Sequence, residues 1–157
     1  MNAEEQGVRV HDRQDKWEFS PDFLGTLERC GNRVLSLLKG PYLARVTLPG
    51  VVNVSLIDDV QIERVHAQFM DNPTPTDVIT FPYGEEGEIL ISVETAERQA
   101  SAFGASCERE MVLYLVHGLL HLAGYDDLTA EERGEMEELQ ESLVEEVYGR
   151  GRGFSQG

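Results

Sequence analysis

The chain is poor in cysteine, in long apolar runs and in positive charge, and each shortage narrows what it can be. Of its 157 residues only Cys30 and Cys107 are cysteine, too few for a disulfide scaffold and most simply read as reduced. The longest nearly uncharged stretch, residues 111–125, contains two histidines and is shorter than the roughly 20 residues a membrane-spanning helix needs. The start carries Glu4, Glu5 and Arg9 rather than a basic region followed by an apolar one, so no secretory signal is expected and a cytoplasmic location is. Lysine and arginine total 13 against 29 acids, a net charge of −16, which weighs against a broad electrostatic footprint on nucleic acid. The excess is uneven: residues 126–148 hold ten acids and one base, Arg133. Arg29, Arg33, Lys39, Arg45, Arg64, Arg98 and Arg109 leave room for a local basic groove elsewhere.

What remains is ordinary for a globular protein: 41% hydrophobic and 27% charged residues, enough for one core in one domain spanning residues 1–157. Residues 1–7 and 149–157 are expected to be loose. Val8 and Val10 alternate with polar neighbours as in an edge strand. Ser20-Pro21 reads as a helix start and Gly40-Pro41 as its stop. Residues 42–48 and 51–57 read as two strands joined by a turn at Pro49-Gly50. A short helix follows, capped by Asp58 or Asp59, with Ile62, Val65, His66 and Phe69 on one stripe. Residues 78–81 and 88–92 read as two more strands. A helix over 95–103 closes at Gly104. Residues 106–123 form the most apolar helix, expected to be buried. Thr129 and Glu132 make a capping box for a last helix with Met136, Leu139, Leu143 and Val147 inward and its glutamates in solvent. The pattern predicts an α+β fold: a single compact domain with a small mixed β-sheet packed by helices.

The chemistry concentrates in His117-Gly118-Leu119-Leu120-His121-Leu122-Ala123-Gly124-Tyr125-Asp126-Asp127. His117 and His121 are four apart, so their rings share one helix face and can chelate one cation. Gly124 permits a left-handed turn that ends the helix, and Asp127 can then reach the same ion. A metal site at the end of a buried helix is the reading; two core histidines bonded to backbone carbonyls are the alternative. The spacing matches that of metzincin proteases, but Gly118 stands where they carry the glutamate base. Three ligands leave a position open for water, whose pKa an ion such as Zn²⁺ lowers toward about 7, suiting hydrolysis.

This stretch resembles the YbeY-type endoribonucleases, or rRNA maturation factors, whose hallmark is H-G-x-L-H-L-x-G-Y-D-H. It matches at His117, Gly118, Leu120, His121, Leu122, Gly124, Tyr125 and Asp126, and departs where Asp127 replaces the final histidine. Residues 75–82, PTDVITFP, are similar to the family's P-T-D-V-L-S-F-P, and residues 87–92, GEILIS, to G-D-I-x-I-S. The resemblance implies a compact α+β fold, Zn²⁺ held by His117, His121 and Asp127, and single-strand-specific cleavage of an rRNA precursor in maturation of small-subunit RNA, with a further role in ribosome quality control. It implies the small ribosomal subunit or its proteins as partners, and no membrane.

Two departures bear on mechanism. Asp127 makes the site one charge more negative than a third histidine would, and creates a two-histidine-one-carboxylate set that Fe(II) also uses. Met70 lies where the family often carries an arginine for the RNA phosphate, and a thioether cannot stabilise developing phosphorane charge; Arg64 or Arg45 would have to compensate. Asp126, and with it Thr76 and Asp77, are candidates to support the ligands by hydrogen bonds, with turn capping the competing role. His66 and Cys107 read as structural. The alternatives are a metal-dependent peptidase or amidohydrolase, and a non-catalytic ribosome assembly factor with structural zinc; an open coordination position separates the last from an enzyme.

Overall fold

A computed structural model of the chain describes residues 7–40, 44–70, 78–83 and 85–149, the side chains of 68–70 and 81–83 excepted. The elements run β1 (Gly7–Asp12), α1 (Pro21–Leu38), β2 (Val51–Ile57), α2 (Asp59–Met70), β3 (Val78–Tyr83), β4 (Glu86–Ser92), α3 (Val93–Phe103), α4 (Cys107–Leu122) and α5 (Ala130–Tyr148). The strands form one mixed sheet in the order β1-β2-β4-β3. β1 and β4 flank β2 in parallel, and β3 pairs antiparallel with β4. The expected α+β domain with a small mixed sheet is what the chain forms.

Alternation along the strands divides the core in two. Val52, Val54 and Leu56 of β2 and Ile89 and Ile91 of β4 face the main core. Leu90 faces the other way, onto Ile62 of α2 with Ile57 and Ile79. Helix α4 lies in the main core, in contact with α1, α3 and α5 and with β3 and β4 of the sheet. Met111, Leu115, Leu119 and Leu120 are fully buried, as an apolar circumference requires. The helix approaches the sheet closely at Gly118, where a Cβ would stand 2.9 Å from two Ile89 side-chain carbons.

The first and last helices start as the sequence implied, whereas α3 starts at Val93, capped by Ser92, two residues before the expected start at 95. Ser20, Ser106 and Thr129 cap α1, α4 and α5, the last with a full capping box. One expectation fails: the strand expected over residues 42–48, partnered to β2 through a Pro49-Gly50 turn, is not formed in its described part. Both edges of β2 are taken by β1 and β4, and the described part, residues 44–48, is irregular. Its backbone instead bonds helix ends, Ala44 N–H to the Leu38 carbonyl at 3.1 Å and Arg45 and Val46 N–H to that of Ala123 at 2.8 and 3.2 Å.

Ser92, which ends the GEILIS block, joins three elements. Its hydroxyl caps α3 by accepting from Thr95 N–H at 3.2 Å and donates to Asp59 Oδ1 of α2. Thr95 Oγ1 donates to the same oxygen at 3.0 Å and Arg98 Nη1 to Asp59 Oδ2 at 2.7 Å. Burial pushes the Asp59 carboxyl up, but hydrogen bonds from Ser92, Arg98 and Thr95 outweigh it and hold the group below the usual carboxylate value.

A carboxyl with a depressed folded value stabilises the fold above its unfolded value, near 4, and loses that contribution as pH falls through the folded value. Asp59→Asn is therefore expected to destabilise by about 1–3 kcal/mol at pH 7, with the gap from wild type narrowing as pH falls below the ordinary carboxylate range and through the depressed folded value, read by urea denaturation across pH. Gly118→Ala is expected to cost about 1–3 kcal/mol by overpacking against Ile89, although alanine favours a helix. Gly134→Ala, in α5 with nothing within 4 Å of the added carbon, should instead gain about 0.4–1 kcal/mol. Opposite signs for the same substitution in two helices are the result to look for.

Candidate metal centre

The site is built where α4 ends. Gly124 has φ 100°, which lets the chain turn back so that Gly124 N–H bonds the His121 carbonyl and Tyr125 N–H that of Leu120, both at 3.0 Å. A side chain at 124 would also meet Arg45 Cβ at 3.0 Å. The turn swings Tyr125, Asp126 and Asp127 past the last turn of the helix. The Tyr125 ring is buried beneath the Arg45 guanidinium, 4.2 Å from its centroid.

His117 and His121 project from one face of α4, and Asp127 approaches from the returning chain. The two Nε2 atoms are 3.1 Å apart. Asp127 Oδ2 lies 3.8 Å from His117 Nε2 and 3.6 Å from His121 Nε2. Tetrahedral zinc with donors at about 2.0–2.1 Å holds them roughly 3.3 Å from one another, so these separations bracket what one ion requires. Among the described residues this is the group of three or more histidine, cysteine or carboxylate side chains that can hold a metal, and it contains no fourth donor.

The rings are oriented from behind. His121 Nδ1 lies 3.1 Å from the Tyr125 carbonyl oxygen and His117 Nδ1 2.8 Å from Gln140 Oε1. Both partners are acceptors, so each ring carries its hydrogen on Nδ1. In the neutral rings that leaves two bare Nε2 lone pairs facing each other with a carboxylate oxygen beside them. Three acceptors in contact repel, and a cation between them turns the repulsion into binding. The donor set and its orientation thus fit a divalent metal.

His117 and Asp127 line a cleft of about 200 Å³ together with Arg133, Glu137 and Gln140, with Tyr114, Leu113 and Met136 as its apolar wall. The protease glutamate is sterically excluded as well as missing, because position 118 points into Ile89.

His117, His121 and Asp127 are brought together as the sequence predicted. Thr76 and Asp77 lie outside the described residues, as does the side chain of Met70. Asp126 is exposed, and the Nδ1 atoms it was a candidate to support are bonded to Gln140 and to the Tyr125 carbonyl. His66 sits on α2, which packs on the Leu90 face of the sheet. Burial, then the nearby Glu97, pushes the Cys107 thiol up to about 11, so it is no nucleophile. Four of the arginines considered for a basic groove are tied to acids: Arg33 to Glu146, Arg45 to Glu135, Arg98 to Asp59 and Arg109 to Glu141. Sequence reasoning missed Gln140. Its signal was a glutamine one turn after Met136 and three residues before Leu143, on the stripe that faces inward; it is buried with them, and a buried amide needs a partner.

The family model described as endoribonuclease YbeY matches residues 10–148. Among curated relatives named endoribonuclease YbeY, one from Bacillus cereus is 31% identical over 152 residues, covering 83% of this chain and 97% of its own length. One from Thermotoga maritima is 41% identical over 105 residues, covering 64% and 70%. One from Myxococcus xanthus is 37% identical over 125 residues, covering 73% of this chain but 42% of that longer protein. The solution structure of TM1509 from Thermotoga maritima superposes with a TM-score of 0.63 at 29% identity, covering 90% of both chains. With a family match across nearly all the described residues, and with the histidine pair, glycine turn and cleft in place, this chain belongs to the endoribonuclease YbeY family.

Proposed function

We propose that the chain is a zinc-dependent, single-strand-specific endoribonuclease that acts in the cytoplasm on a ribosomal RNA precursor, in maturation of the small subunit and in ribosome quality control, with the small subunit or its proteins as partners. The observation that carries the enzymatic reading is the convergence of His117 Nε2, His121 Nε2 and Asp127 Oδ2 on one point at the edge of an open cleft. RNA as substrate comes from the relatives, which are named endoribonucleases. The absence of a fourth donor among the described residues favours catalysis over a purely structural ion, which is usually closed by four protein ligands. No described helix is long and apolar enough to cross a membrane.

His117, His121 and Asp127 would hold the ion, and two imidazoles with a carboxylate form a normal zinc set. A divalent ion there supplies Lewis acidity toward a phosphate oxygen and the means to activate water for hydrolysis of the P–O bond. Gln140 and the Tyr125 carbonyl fix the ring tautomers, so that both Nε2 atoms are available as ligands. Leu113 and Met136 limit water on one wall of the cleft.

The test is to measure zinc content and cleavage of a single-stranded RNA together. His117→Ala and His121→Ala are each expected to lose stoichiometric zinc and to lose cleavage to background. Gln140→Leu should keep the fold, weaken zinc binding about 10–100-fold and recover activity at high zinc. Cleavage that persists in metal-free His117→Ala overturns the mechanism. A peptide substrate turned over in place of RNA overturns the substrate, and activity with iron but not zinc overturns the metal.

A further inference from the structure

We propose that Arg133 binds the phosphate of the RNA strand in the metal cleft, an assignment that rests on the function proposed above. Arg133 is the one base among the ten acids of residues 126–148, and it lines the same cleft as His117, Asp127 and Gln140. Its Nη1 donates to the backbone carbonyls of Asp127 at 3.3 Å and Leu128 at 3.5 Å, which holds the guanidinium beside the triad. Those two bonds use one of its three nitrogens. Among the described residues no ion pair within 4 Å joins it to a carboxylate, whereas Arg33, Arg45, Arg98 and Arg109 are each paired with one. In so acidic a chain, an arginine in the metal cleft without an acidic partner is poised to take an anion.

Charge decides the issue. The charged side chains lining the cleft are Asp127, Glu137 and Arg133, a sum of −1. A bound dication raises it to +1; with Arg133 removed, the loaded cleft would be neutral and Glu137 would oppose a phosphate unbalanced. A third histidine in place of Asp127 would have left the site one positive charge richer. Arg133 restores that charge, and does so on the carbonyl of the very residue that lowered it. Its planar fork suits two oxygens of one phosphate.

The experiment uses the zinc-loaded full chain and a fluorescently labelled single-stranded RNA oligonucleotide, with affinity followed by anisotropy against potassium chloride concentration and zinc content measured on the same samples. Arg133→Gln is expected to bind RNA about tenfold more weakly, to flatten the log–log salt dependence by about 0.7–1, to raise KM more than it lowers kcat, and to keep its zinc. Arg133→Lys should recover the salt dependence and part of the affinity. Wild-type affinity and slope in Arg133→Gln, while wild type cleaves RNA, overturn this assignment and leave the proposed function standing. Loss of zinc together with RNA binding makes Arg133 a prop for the Asp127 loop and also overturns it. If wild type neither binds nor cleaves RNA, the function falls and this assignment with it.

Discussion

Three acceptors that cannot satisfy one another are the constraint on which the site depends. The backbone carbonyl of Tyr125 and the buried amide oxygen of Gln140 each claim an Nδ1 hydrogen. The Nε2 atoms are left 3.1 Å apart, with Asp127 beside them. Much of the fold maintains that arrangement. The Gly124 turn supplies the Tyr125 carbonyl, α5 supplies Gln140, and the backbone of Arg45 and Val46 is bonded to the Ala123 carbonyl at the end of α4, beside the turn. The close seat of Gly118 on Ile89 holds α4 against the sheet. A cation held between the three acceptors would turn that repulsion into binding.

The same geometry separates this centre from the proteases whose histidine spacing it shares. In those enzymes the residue after the first histidine carries the base. Here it is the contact point between helix and sheet, and no side chain fits. The histidine pair is therefore a means of holding an ion that different surroundings turn to different chemistry. In this chain the surroundings are an open cleft with one arginine and one glutamate on its walls, suited to an anionic strand that the metal and Arg133 together can hold.

Much of this was legible from local pattern. The i, i+4 histidines, the glycine three residues later and the carboxylate in register encode the triad because helix periodicity and glycine's left-handed conformation are local properties. Ser20-Pro21 and the Thr129–Glu132 box marked helix starts for the same reason. What escaped depends on contacts distant in sequence. Gln140 is 23 residues from the histidine it orients, and only the packing of α5 on α4 discloses the pairing. Residues 42–48 have strand composition, yet their place beside β2 is occupied by β1 and β4, which no local pattern records. The arginines that suggested a basic groove were visible; that four are neutralised by acids from other elements was not. Arg133 was visible as a lone base, and only its position in the cleft gives it a role.

The most direct test of the central claim is a long-range nitrogen–proton correlation spectrum of the histidine rings during titration with zinc. The account predicts that, at one equivalent, both His117 and His121 show a protonated Nδ1 and an Nε2 resonance shifted by the metal, with His11 and His66 unmoved. Coordination through Nδ1 of either ring, or Nε2 resonances indifferent to zinc, would contradict it.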